Sequence, residues 1–191
     1  MKLGPRKRLA VSTTLRCSSP RPRNPTSRRR ICANACLRPL WHRVVEVARE
    51  PQWYTKGGVA DTVPGRFDCI ALVLSLVLIR LERGPDLRRA AARLTELFVS
   101  DMDGQLRQSG VGDLVVGKHM GRLMGALGGR LDAYRAALAQ AGDDALHDAV
   151  TRNVSLNEDA DPAAIAAEMR VLAGALEASS DADLLAGVIA R

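Results

Sequence analysis

The sequence predicts an all-α protein: a single helical bundle-like domain of about six or seven helices. Ala and Leu, which are among the strongest helix formers, are abundant, whereas only six of the 191 residues are aromatic. Apolar residues recur at helical spacing in successive segments, and no segment shows the strict alternation typical of a strand. The length suffices for one domain with a core, which we predict over residues 37–191.

Residues 1–36 form a leader of different composition. Residues 1–43 carry 12 Lys and Arg and no Asp or Glu. Residues 44–191 therefore contain the other 16 basic residues and all 21 acidic ones, so their net charge is negative. The leader mixes Pro, Ser and Arg without a hydrophobic period, and we predict that it is disordered. Its origin stays open between a transit peptide, a genuine tail and a gene model that begins too early, ahead of a start near Leu37 or Leu40.

Capping and breaking residues set the predicted helix boundaries. We predict a first helix from Pro39 to Pro51, and then helices over residues 66–83, 86–109 and 113–141. Further helices are predicted to start at Asp143 or Asp144, at Asp161-Pro162, and at Ser180. The glycine-rich segment 52–67 is predicted to be an ordered loop anchored by Trp53, Tyr54 and Phe67.

Two further features bound the class of protein. The longest apolar run, Cys69 to Ile79, has eleven residues, whereas a membrane-spanning helix needs about 20, so no transmembrane helix is predicted. Four cysteines are too few and too unevenly placed for a disulfide scaffold, which favours a reducing compartment.

No set of residues indicates catalysis, a metal or a cofactor. Asp101 and Asp103 lie two apart on a predicted helix, so they point about 200° apart and do not easily share a proton or a metal. The residues from Gly112 to Lys118 imitate a phosphate-binding loop, but His119 stands where Ser or Thr should be and a helix precedes the segment. The three histidines have no helical partner for a metal. We therefore predict a non-enzyme without a small-molecule substrate.

The predicted fourth helix carries a glycine every fourth residue. These are Gly117, Gly121, Gly125 and Gly129. Together they cost about 3 to 4 kcal/mol of helix propensity relative to Ala. A row of small residues lets another helix approach closely. We expect that helix to be one of the protein's own, with a helix of a client protein as the alternative.

A set of short motifs follows in order along the chain. They are Trp53-Tyr54, Gly57-Gly58, Gly65-Arg66-Phe67-Asp68, Asp101-Met102-Asp103, Gly110-Val111-Gly112-Asp113, Val116-Gly117-Lys118 and Arg152-Asn153. In order and spacing they resemble the ubiquinol-cytochrome c chaperone family, the assembly factors of the cytochrome bc1 complex of the respiratory chain. The resemblance runs from about Leu37 to about Asn153, with a looser helical tail.

The resemblance implies a helical domain that binds newly made cytochrome b, or other bc1 subunits, and assists assembly of the complex without catalysing a reaction. It implies a cytoplasmic protein, peripheral at the inner membrane, or a mitochondrial one if the leader is a transit peptide. The family's organellar members also contact ribosomes, and a ribosome contact is retained among the candidate partners. The compact chain looks more like a bacterial member.

The resemblance also supplies the candidate partner-binding residues. They are Trp53, Tyr54, Arg66, Phe67, Asp101, Met102, Asp103, Asp113, Gly117, Lys118, Arg152 and Asn153. We expect an apolar groove between the predicted second and fourth helices. Trp53, Tyr54 and Phe67 either line that groove or pin the loop to the core.

Two other function classes stay open. A nucleic-acid or ribosome-binding adaptor would use the basic leader, because basic arms bind phosphate backbones. An enzyme would require a convergent polar pocket with a strongly shifted carboxyl or histidine.

Overall fold

The computed structural model describes residues 25–84, 87–108 and 113–189, without the side chains of residues 25–36, 106, 113–116 and 118. The described residues hold eight helices. They are α1 (Pro25–Ala48), α2 (Pro51–Thr55), α3 (Val63–Glu82), α4 (Arg88–Gln108), α5 (Asp113–Leu138), α6 (Asp144–Asn153), α7 (Pro162–Ala178) and α8 (Asp181–Leu185). The predicted all-α class is confirmed.

The central helix of the bundle is α3. Every residue from Asp68 to Leu78 is buried, as its nearly continuous apolar sequence requires. α1 and α4 pack on α3 and on each other, α5 and α7 also pack on α3, and α6 joins α5 to α7. The helix α4 also packs on α5, so the layer that begins with α1 continues through α4 and α5 to α6 and α7 around the central helix.

The first helix differs from its predicted extent. α1 begins at Pro25, and Pro39, predicted to start the helix, lies inside it. The periodic apolar pattern that begins near Pro39 marks the part of the helix that packs on the core, where Leu37 and Leu40 are buried. The residues before Pro39 are helical although they lack this apolar pattern, and a prediction based on the pattern therefore starts the helix too late. The predicted disordered leader falls on residues 1–24, which lie outside the described residues, and on residues 25–36, of which only the backbone is described.

The predicted loop between the first two long helices contains a short helix and a backbone pairing. Pro51 starts α2, where its fixed φ suits the first helical position. Val59 then forms an isolated antiparallel bridge with Leu156, in the loop between α6 and α7. At the start of α3, the Thr62 side chain accepts a hydrogen bond from the Gly65 N–H and so caps the helix.

Candidate functional site

A buried ion pair joins α3 to α5. Nη2 of Arg130 donates to Oδ1 of Asp68 at 2.5 Å. The Asp68 side chain is 9% exposed and that of Arg130 is 12% exposed. A charge this far from water is costly without a partner, so each of the two side chains depends on the other.

The remaining polar atoms of this pair hold the end of α6 and the loop after it. Oδ2 of Asp68 accepts hydrogen bonds from the backbone N–H and the hydroxyl of Ser155, at 3.0 and 2.7 Å. Nε and Nη2 of Arg130 both donate to the carbonyl oxygen of Asn153, at 3.2 and 3.0 Å, which satisfies a carbonyl that the helix end leaves open. We call Asp68, Arg130, Asn153 and Ser155 the polar cluster; it fastens three elements at one point.

Aromatic rings connect the polar cluster to α4 and α1. The guanidinium carbon of Arg130 lies 5.7 Å from the ring centroid of Phe67, within the range of a cation–π contact. The Phe67 ring lies 6.2 Å from that of Phe98, which meets Trp41 edge-on at 6.0 Å. Phe67 is half-buried. This predicted site residue therefore packs between the polar cluster and the core.

Two loops pair beside the polar cluster. The Ala60 N–H donates to the Ser155 carbonyl, and the Asn157 N–H donates to the Gly58 carbonyl, both at 2.9 Å. Gly58 has a φ of +74°, and a Cβ at this position would lie 2.5 Å from the Cα of Ala160. Only glycine combines this backbone conformation with such a close approach. Gly58, one of the motif residues, therefore allows the two loops to approach closely.

Trp53 and Tyr54 fix α2 to the end of α1. Trp53 is fully buried and its indole N–H donates to the Val47 carbonyl at 2.8 Å, while the Tyr54 hydroxyl donates to the Ala48 carbonyl at 2.9 Å. Burial raises the pKa of Tyr54 to about 12, and it also raises the pKa of the Cys69 thiol to about 12. At neutral pH Cys69 is therefore a protonated thiol and a poor nucleophile.

Tyr134 provides a test of the core around the polar cluster. Its hydroxyl is buried and has no hydrogen-bond partner among the described residues, and burial raises its pKa well above the usual range. Because an unsatisfied buried hydroxyl costs free energy, Tyr134→Phe is expected to raise the free energy of unfolding by about 1 kcal/mol. Urea unfolding measures the change. A clear destabilisation would show that the hydroxyl has a partner in solution.

The predicted glycine row lies on the open side of α5. Its members, Gly117, Gly121, Gly125 and Gly129, are all exposed. A Cβ on any of them would meet no described atom within 4 Å. The expectation that another helix of this chain covers the row is therefore wrong for the described residues. α5 instead turns Leu127 and Tyr134 to the core, because burying large side chains contributes more than contact with bare backbone. We call the four glycines the glycine face.

Alanine at the glycine face is expected to stabilise the fold. Gly125 lies inside α5 with open space at its Cβ position, and Gly is about 0.8 to 1 kcal/mol less favourable than Ala inside a helix. Gly125→Ala should therefore raise the free energy of unfolding by up to about 1 kcal/mol. Thermal or urea unfolding checks this. A loss of stability would indicate that the row is covered in solution.

The acidic motif of α4 makes separate local contacts. The exposed Asp101 accepts a hydrogen bond from Gln105 at 3.2 Å, whereas Asp103 pairs with Arg107 at 2.8 Å. Met102 between them is buried. The structure thus does not bring the two carboxylates to one shared partner.

The remaining predicted residues are scattered. Arg66 pairs with Asp61 at 2.6 Å on the surface, and Arg152 is exposed near the end of α6. The side chains of Asp113 and Lys118 lie outside the described residues, as does the preceding turn at residues 110–112. Of the twelve predicted residues, Asn153 belongs to the polar cluster and Phe67 contacts it.

A cleft of about 490 Å³ opens between α3, α5 and α7, towards the C-terminal ends of α3 and α5. Its apolar lining includes Leu76, Ile79, Leu138, Ala173 and Leu176. Two exposed ion pairs also line it: Glu82, the last residue of α3, pairs with Arg135 of α5 at 2.7 Å, and the next residue, Arg83, pairs with Glu177 of α7 at 2.9 Å. The three aromatic residues considered for a groove between α3 and α5 do not line this cleft.

The residues predicted from the sequence omitted three members of the polar cluster: Arg130, Ser155, and Asp68, which was noted only as part of a motif. Arg130 lies three residues after Leu127 and four before Tyr134, so it falls within the apolar seam of α5. A charged residue in a buried stripe is rarely left unpaired, and this was the signal available. Nothing in the local sequence marks Ser155.

No helix in the described part of the chain contains a stretch long and apolar enough to cross a membrane. Within residues 25–84, 87–108 and 113–189, no three His, Cys, Asp or Glu side chains are grouped as a metal site would require.

Comparison with known proteins gives the family. The family model described as ubiquinol-cytochrome C chaperone matches residues 55–191. The chain belongs to this family. The crystal structure of the Cbp3 homolog from Brucella abortus is similar, with 33% sequence identity, a TM-score of 0.72, and coverage of 87% of this chain and 94% of that chain. No curated protein matches the chain.

The ubiquinol-cytochrome c chaperone region contains the features described above. It begins at the last residue of α2 and includes the polar cluster, the paired loops, the glycine face and the cleft. It starts later than the motif resemblance, which began near Leu37, and it continues beyond Asn153 to the end of the chain. The C-terminal helices α7 and α8 are thus part of the family domain.

Proposed function

We propose that this protein is a non-enzymatic assembly chaperone of the ubiquinol-cytochrome c reductase (bc1) complex and that it binds newly made cytochrome b. The observation that carries the proposal is the family match over residues 55–191. The likeness to the Cbp3 homolog over 87% of the chain supports it. Other bc1 subunits are alternative clients.

The geometry is compatible with a protein that shelters apolar segments for a limited time. The glycine face leaves helix backbone open to close approach by another helix, and the cleft offers an apolar floor. The ion pairs at the edge of the cleft are exposed, and such pairs contribute only about 0 to 1 kcal/mol, so a client exchanges them at low cost. The polar cluster holds α5 firmly on α3 while its other side remains open.

We place the protein at the inner membrane as a peripheral chaperone, because its proposed client is inserted there. The work of such a chaperone is binding, and no covalent step on the client is required.

Co-purification tests the proposal. The full chain carrying an affinity tag is isolated after a short radioactive pulse, and newly made cytochrome b should be recovered with it. The variant Gly121→Leu/Gly125→Leu, which fills the glycine face, should recover less. The control Ala167→Leu adds an apolar side chain at an exposed position of α7 and should recover as much as the unchanged protein. Absence of labelled cytochrome b from every preparation would contradict the proposal.

A further inference from the structure

The charges of this chain are divided between two parts of the sequence. Residues 143–178, which include α6 and α7, carry eight Asp and Glu and two Arg. Residues 1–43 carry 12 basic residues and no acidic one. α6 and α7 pack with each other and with α5 and α3, whereas the described part of α1 packs with α3, α4 and α8, so α3 is the neighbour that the acidic helices share with α1.

The described part of α1 presents basic side chains to solvent. Arg38, His42 and Arg49 are exposed, and their spacing of four and then seven residues places them on one helix face. Arg38 and Arg49 form no ion pair with a described residue. Arg43, which is more buried, pairs with Glu46 at 3.5 Å. The exposed carboxylate of this face, Glu46, is the partner of Arg43, so Arg38 and Arg49 remain without an ion-pair partner among the described residues.

The neighbouring helix α4 adds three more arginines. Arg88, Arg89 and Arg93 are exposed in its first two turns, and none has an ion-pair partner in the described ranges. α4 packs directly on α1. We call the exposed basic side chains of the two helices the basic face: Arg38, His42, Arg49, Arg88, Arg89 and Arg93.

Acidic groups near this face are engaged elsewhere. The helix α8 contacts α1, but its Asp181 pairs with Arg80 at 2.7 Å and its Asp183 accepts a hydrogen bond from Ser180. In the sequence, Asp86 and Glu96 flank the three arginines, and Glu82, which lies near Arg88, pairs with Arg135 at 2.7 Å. Positive charge thus exceeds negative charge on this side of the molecule.

We propose that the basic face binds the anionic phospholipid head groups of a bilayer surface. Guanidinium groups bind phosphate oxygens in a planar, two-pronged geometry, and arginines spread over two adjacent helices suit an extended anionic surface. Nucleic-acid single strands are instead held by bases stacked on exposed aromatic rings, and Trp41 and Phe98 of these helices are buried. The inference deepens the proposed function, since a client made for the membrane is met at its surface.

Vesicle co-sedimentation of the full chain tests this inference. Binding is expected to vesicles of phosphatidylcholine with phosphatidylglycerol, and not to phosphatidylcholine alone, and it should fall as salt rises. Each arginine near an anionic surface is worth roughly a fivefold change in partitioning, so Arg89→Gln/Arg93→Gln should weaken binding roughly 25-fold. Gln keeps the helix propensity of Arg, so α4 should persist, and circular dichroism verifies it.

A matched control distinguishes an effect of the basic face from an effect of the net charge on vesicle binding. Lys56→Gln/Arg122→Gln removes the same charge from exposed positions outside α1 and α4 and should leave vesicle binding within about twofold. Equal loss in both double variants would overturn the inference, as would equal binding to phosphatidylcholine alone. Binding to poly(U) RNA without binding to the anionic vesicles would also overturn it. The assay contains no cytochrome b, so failure of the proposed function is seen separately, in the co-purification experiment.

Discussion

Asp68→Ala is expected to lower the free energy of unfolding by about 3 to 5 kcal/mol, because it removes one partner of a buried ion pair. The substitution leaves Arg130 buried without a counter-charge and removes the acceptor of both Ser155 hydrogen bonds. The loop after α6 also loses its tie to α3. Equilibrium unfolding in urea, followed by circular dichroism at the helical signal, measures the change.

An exposed ion pair of the same chemistry provides the control. Glu82→Ala removes the carboxylate that pairs with Arg135, whose side chain is 42% exposed, and should cost no more than about 1 kcal/mol. The double variant Asp68→Leu/Arg130→Met removes both buried charges and should be more stable than Asp68→Ala alone. If Asp68→Ala cost no more than Glu82→Ala, the polar cluster would not hold the bundle together.

Gly58→Ala is expected to cost about 2 to 4 kcal/mol, because it combines left-handed backbone strain with overpacking against the chain. The added Cβ would lie 2.5 Å from the Cα of Ala160, and backbone cannot rotate away as a flexible side chain does. The pairing of the loops would therefore open. Urea unfolding measures the loss in the full chain.

Gly125 of the glycine face provides the matching control. Gly125→Ala adds the same methyl group, yet it should stabilise the protein because the Cβ position is free. The two substitutions thus have opposite expected signs. A destabilisation of similar size in both would mean that the loss at Gly58 reflects the loss of glycine itself and not the contact between the loops.

The long helices could be predicted from the sequence because each carries its own periodic pattern and stop signals. The start of α5 at Asp113 and of α7 at Pro162 agree with their predicted positions. α2 escaped prediction because one turn of helix is too short to show a period. The bridge between Val59 and Leu156 escaped because it joins segments that are distant in the sequence.

The candidate site was harder to predict because its geometry is made by distant residues. Asp68 and Arg130 are 62 positions apart, and no local spacing reveals their pairing. The glycine row was visible in the sequence, but its exposure depends on which side of α5 packs against the core. The motif residues Trp53 and Tyr54 proved to bond to the end of α1, which only the arrangement of α2 against α1 determines.

Deletion of the gene tests the central claim most directly, with bc1 activity and the haem absorbance of cytochrome b measured in membranes. The account predicts that both fall sharply in the deletant. A plasmid copy of the unchanged chain should restore them, whereas a copy carrying Gly121→Leu/Gly125→Leu should not. Normal cytochrome b and normal bc1 activity in the deletant would contradict the assignment of this chain to bc1 assembly.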